Sequence, residues 1–69
     1  MEVIKLKAEY IKLGQALKAT GFADSGVMAK NIIVDGLVKV NGEKELRRGR
    51  KLYDGDIVSY GLETIEIEG

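Results

Sequence analysis

The sequence contains neither cysteine nor histidine. Disulfides and the usual Cys/His zinc sites are thereby excluded. With only 69 residues, stability has to come from one compact core, near the lower size limit for a domain that folds without staples. The same absences remove the commonest general base and the thiol nucleophile. Catalysis would fall to carboxylates, Lys, Tyr or Ser, yet the 11 carboxylates are scattered along the chain and no Ser stands beside an obvious base. An enzyme is therefore not expected, nor a cofactor or metal site. No apolar run approaches the roughly 18 residues of a membrane span, and no secretory pattern opens the chain. A single domain over residues 1–69 is expected, cytoplasmic, monomeric and without a membrane partner.

Net charge is zero, but the charge is unevenly placed. Residues 1–51 carry all 11 basic residues against six acidic ones, and from Leu52 to Gly69 there are five acidic residues and no basic one. Such polarisation, rather than net charge, creates a local field able to bind phosphate.

Periodicity sets the expected elements. Met1–Lys7 alternates Ile4 and Leu6 against Lys5 and Lys7, the pattern of a half-exposed strand. From Tyr10 to Thr20 the period becomes helical, with Leu13, Ala16, Leu17 and Thr20 on one stripe and Lys12, Gln15 and Lys18 off it. Gly21 closes that helix. Gly14 inside it costs about 1 kcal/mol relative to Ala, which suggests close packing there. Asp24 or Ser25 caps a second helix, whose expected buried face is Val27, Met28, Ala29, Ile32 and Ile33, ending at Gly36. The short connection makes the two helices a packed pair. Strands are expected at Leu37–Val40, Asp56–Tyr60 and Glu63–Glu68, with tight turns at Asn41-Gly42 and Asp54-Gly55. The expected core is Leu13, Leu17, Met28, Ile32, Val38, Val40, Ile57 and Ile65.

Two sets of residues could carry function. The first is the cluster Lys44, Arg47, Arg48, Arg50 and Lys51, which holds every Arg in the chain and only Glu45 in opposition. Guanidinium forks suit phosphate oxygens, and Gly49 would let a ligand approach the backbone. Like-charged side chains in such a loop are expected to contribute little to folding. The second set is the exposed edge of the helix pair: Lys12, Gln15, Ser25, Lys30 and Asn31. The start of the second helix offers backbone amides and the positive end of its dipole. Each set also has a plain structural reading, as a solvated loop and as a helix cap with solvated neighbours.

The stretch ADSGVMAKNIIVDGLVKVNG resembles the core motif of the S-four-type RNA-binding domain, named for a ribosomal small-subunit protein. Ser25, Ala29-Lys30, Ile32-Ile33, Gly36, Val38, Val40 and Asn41-Gly42 fill its places. Lys12-Leu13 and Leu17 fit the first helix, and Gly55-Asp56 fits the entry to the next strand. LGQALK, SGVMAK and RRGRKLYDGDIV are similar to blocks of the stand-alone YaaA/YbcJ-like members. The resemblance implies an α+β, alpha-L fold, with a helix pair on a small, mostly antiparallel sheet. It also implies binding of structured RNA, ribosomal RNA above all, through the helix pair and the adjacent basic loop. Larger members often carry basic residues where Gly26, Val34 and Glu43 stand, so more of the binding is expected from Arg47–Lys51.

Two other functions stay open at this point. YDGDIVSY resembles the strand entry of ubiquitin-like sulfur carriers or protein-interaction modules, although the chain ends Glu68-Gly69 rather than Gly-Gly. A helix-turn-helix reading of the helix pair would imply DNA binding, but the second helix offers a major groove mainly Lys30 and Asn31. The aromatics, Tyr10, Phe22, Tyr53 and Tyr60, are widely spaced and read as core or strand residues rather than a base-stacking platform.

Overall fold

Two periods, 2.0 and 3.6, divide the chain into a sheet layer and a helix layer that share one core. A computed structural model describes residues 1–69. Its elements follow in the order β1 (Glu2–Lys5), β2 (Ile11–Lys12), α1 (Leu13–Ala19), α2 (Gly26–Val34), β3 (Val38–Val40), β4 (Glu43–Lys44), β5 (Lys51–Leu52), β6 (Ile57–Tyr60) and β7 (Glu63–Glu68). Five strands form one sheet in the order β1-β7-β6-β3-β4, and β2 pairs with β5 in a separate ribbon. All pairings are antiparallel except β1 with β7. The fold is therefore α+β, a helix pair on a small, mostly antiparallel sheet.

Register explains which strand residues face inward. Val40 lies opposite Val58, and Val58 opposite Ile65, so the three line one face beneath the helices. Leu13, Ala16 and Leu17 of α1 and Ala29, Ile32 and Ile33 of α2 close over them. Ile57, expected in the core, is only half-buried. It lies opposite Glu66 on the other face of the pleat, and Val58 takes the inward position. Met28 is likewise half-buried at the rim of the core. Val27, also expected inside, is 70% exposed. At about 100° per residue it points roughly 160° away from Ala29, so the buried stripe is narrower than the apolar content of α2 suggests.

The first helix starts three residues later than its periodicity implies. Lys12 is extended, with φ −80° and ψ 149°, and Ile11 pairs with Leu52 rather than continuing a helical turn. The reason is a tertiary competitor for the first amides of α1. Leu13 N–H donates to the Arg50 carbonyl at 2.8 Å, and Gly14 N–H to the Arg48 carbonyl at 3.0 Å. Residues 48–50 thus cap α1, a role no local pattern announces.

Glu45 holds that loop in shape. It is 6% exposed, and its own N–H donates to the Val38 carbonyl at 3.1 Å, fixing it to β3. Its carboxylate accepts from Arg47 N–H at 3.0 Å, Arg47 Nε at 2.9 Å, Arg47 Nη2 at 3.1 Å and Arg50 Nη1 at 2.7 Å. The expectation that the arginines repel one another and contribute little to folding is corrected here: two of the three converge on one buried acid. The hydrogen bond from Arg47 is the main cause holding the Glu45 carboxyl at about 2, well below the ordinary 4.5; burial opposes it and the Arg50 bond adds to it.

Leu17→Ala is expected to cost about 2–5 kcal/mol, because it opens a cavity under both layers. Val27→Ala should stay within about 0.5 kcal/mol. Urea unfolding of the two variants checks the assignment of faces, and equal effects would contradict it.

The Glu45 clamp carries a pH signature. A carboxyl depressed by folding contributes stability that is complete above the unfolded value of about 4.5 and is lost as pH falls from there through about 2. Glu45→Gln should lower the melting temperature at pH 7 by on the order of 10 °C. It should also flatten the acid limb between pH 4.5 and 2 relative to the parent chain. Thermal melts across that range test both points, and an unchanged acid limb would remove Glu45 as its origin.

Candidate nucleic-acid interface

Capping geometry fixes the helix pair before any ligand is considered. Lys12 N–H donates to Gln15 Oε1 at 3.1 Å at the start of α1. Met28 N–H donates to Ser25 Oγ at 3.1 Å at the start of α2. Gln15 and Ser25 are thus caps first, although the Gln15 amide nitrogen remains free to donate outward. The α1 amides are closed by the loop carbonyls. The Gly26 and Val27 amides at the start of α2 have no protein acceptor.

Between these helix starts and the loop lies a groove of about 360 Å³, lined by Lys12, Gly14, Gln15, Lys18, Gly26, Ala29, Arg48 and Gly49. Three cations and no carboxylate face it. None of Lys12, Lys18 and Arg48 takes part in an ion pair, whereas Arg47 and Arg50 are both bonded to Glu45. Three of its lining residues, Gly14, Gly26 and Gly49, lack side chains, which makes room between its walls. At Gly14 a Cβ would lie 2.7 Å from Arg48 Cγ and 3.2 Å from its Cδ. The bare glycine is what lets Arg48 lie across α1, and it accounts for the helix-propensity penalty noted in the sequence.

The structure gathers some of the sequence candidates and separates others. Lys12, Gln15 and Arg48 meet in the groove, and Ser25 adjoins it through Gly26. Lys30 and Asn31 are exposed on α2, with Lys30 one turn beyond Gly26. Arg47, Arg50 and Lys51 with Gly49 line a second, shallow depression behind the loop. There the Glu45 bond holds the Arg47 guanidinium more firmly charged, and Arg47 is not among the residues that line the groove. Lys44 lies elsewhere. Its Cδ, Cε and Nζ stand 3.2–3.4 Å from the position of a Cβ on Gly36, so its charge sits at the C-terminal end of α2, where it complements the helix dipole. Lys18 was not among the candidates. Its signal was the spacing Lys12, Gln15, Lys18, which keeps all three on one side of α1.

Comparison with known proteins shows the family and the fold. The S4 domain family model matches residues 4–68. The chain is 47% identical over 66 residues to the Bacillus subtilis protein named "Probable ribosome maturation protein RlbA", covering 96% of this chain and 83% of that protein. It is 34% identical over 61 residues to YbcJ of Escherichia coli, covering 88% and 87% of the two chains. The solution structure of YbcJ, described as having an alphaL motif involved in RNA binding, superposes with a TM-score of 0.76 at 33% identity, over 100% of this chain and 89% of that one. Family model, relatives and structural superposition agree: the chain belongs to the S4 domain family.

Proposed function

We propose that this protein binds structured RNA by seating backbone phosphates in the groove between α1, α2 and the Glu45–Arg50 loop. One observation carries the reading: three cations without carboxylate partners, Lys12, Lys18 and Arg48, converge on a groove floored by Gly14 and Gly26. Phosphate oxygens suit both the guanidinium fork and the unpaired α2 amides. The lining offers no carboxylate, hydroxyl or thiol, which supports binding rather than catalysis. The kinship with YbcJ and with the Bacillus relative named for ribosome maturation supports RNA as the partner. Ribosomal RNA, within a maturing ribosomal particle in the cytoplasm, is the specific target we assign.

The division of labour among the arginines yields the test. Arg48→Ala and Lys18→Ala should each weaken binding to a structured ribosomal RNA fragment by about 1 kcal/mol and lower the salt slope by roughly one, leaving the melting temperature unchanged. Arg47→Ala should do the reverse, lowering stability more than affinity. Lys44→Ala should alter neither. With about three phosphates neutralised, parent affinity should fall roughly 40-fold between 50 and 200 mM salt, on the duplex-DNA slope. Filter binding beside thermal melts reads all four. Full affinity in a Lys12/Lys18/Arg48 triple-Ala variant would remove the groove from the interface.

A further inference from the structure

The β2–β5 ribbon brings together two aromatics that stand 43 positions apart in sequence. Ile11 lies opposite Leu52 and Lys12 opposite Lys51. The next step of that register sets Tyr10 opposite Tyr53. Leu52 is fully buried and Ile11 packs against the core, so alternation turns Tyr10, Lys12, Lys51 and Tyr53 to the outer side. There the Tyr10 and Tyr53 ring centroids stand 6.0 Å apart at 53°, and Lys51 Nζ lies 4.8 Å from the Tyr10 centroid.

Coverage of the core does not account for this arrangement. Tyr53 is 44% exposed, so much of its ring faces water. Its backbone is held on both sides by Asp56, which accepts the Tyr53 N–H on Oδ2 at 2.8 Å and donates its own N–H to the Tyr53 carbonyl at 3.0 Å. Lys12 and Lys51, directly opposite each other, form a like-charged cross-strand pair that disfavours the ribbon. An anion beside them would relieve that repulsion. Lys12 also lines the phosphate groove, and Lys51 the second depression, so the tyrosine pair adjoins both basic hollows through these two lysines.

We propose that the outer face of this ribbon is a stacking subsite for one unpaired nucleobase. Tyr53 supplies the platform, Tyr10 braces it from the side, and Lys51 meets the adjoining phosphate. The inference rests on the RNA-binding reading above and narrows its substrate. A base paired within an A-form helix keeps its faces stacked on its neighbours, whereas a bulged or looped base can be laid on an aromatic ring. The preferred RNA is then a short helix, whose phosphates fill the groove, next to a single unpaired nucleotide. Stacking tolerates any base, so the subsite reads structure rather than sequence.

Two hairpins with the same stem, one fully paired and one with a single bulged nucleotide, test the subsite. The parent chain should bind the bulged hairpin roughly tenfold more tightly at 50 mM salt, and the ratio should fall by no more than about threefold by 200 mM, the cost of the single Lys51–phosphate contact, because stacking itself releases no counterions. Tyr53→Phe should keep the preference. Tyr53→Leu, which retains apolar cover without an aromatic face, should lose it while binding the paired hairpin as before. Independently of any variant, tyrosine emission of the parent should be quenched by the bulged hairpin and not by the paired one. Equal binding of the two hairpins by the parent, or a Tyr53→Leu variant that keeps the preference, overturns the subsite. Neither result touches the groove, whose own failure would appear as salt-insensitive binding of both hairpins.

Discussion

A carboxylate enclosed by the most basic segment of the chain organises this molecule. Beside a surface proposed to bind phosphate a negative charge opposes the ligand, and burying any charge costs free energy unless its hydrogen bonds are met. Glu45 meets that condition with four hydrogen bonds from Arg47 and Arg50. The result is geometric. With the two arginines drawn to one acid and the Glu45 N–H fixed to β3, the loop reverses so that the carbonyls of Arg48 and Arg50 face the start of α1. One ion-pair cluster therefore caps a helix, joins the helix layer to the sheet and leaves Arg48 as the loop cation in the groove.

This arrangement separates residues that hold the fold from residues left free for the proposed ligand within a six-residue stretch. Arg47 and Arg50 belong to the first group and Arg48 to the second, although all three have the same chemistry. The glycines divide in a similar way. Gly14 is required by the approach of Arg48, where a Cβ would collide, while Gly26 has open space above it and keeps the α2 amides accessible.

Much of the architecture was legible because it obeys local rules. The helix pair, a cap at Asp24 or Ser25, the Gly36 stop and the inward Ile65 follow from period and capping alone. Gly14 was legible as a site of close packing, though its partner was not. The rest depended on distant segments. The β2–β5 ribbon has two residues per strand, too few for any periodicity, and it overrode the helical phase of Tyr10–Lys12. Val27 was misplaced because three consecutive apolar residues, Val27 to Ala29, leave the phase of a helix undetermined until its packing partner is known. Of the site, Lys12, Gln15 and Arg48 could be found from charge and spacing. The capture of Arg47 and Arg50 by Glu45 could not, since a charge cluster does not reveal which members are paired. Nor could the Tyr10–Tyr53 contact, which needs the ribbon register.

The central claim, that RNA enters between the helix starts and the clamped loop, is tested most directly by amide chemical-shift mapping. In a titration of labelled protein with a structured ribosomal RNA fragment, the largest shifts should fall on Gly14, Gly26, Val27 and Gly49. Amides on the outer face of β6 and β7, such as Ser59 and Thr64, should hardly move. Shifts concentrated on that sheet face, with Gly26 and Gly49 silent, would contradict the account.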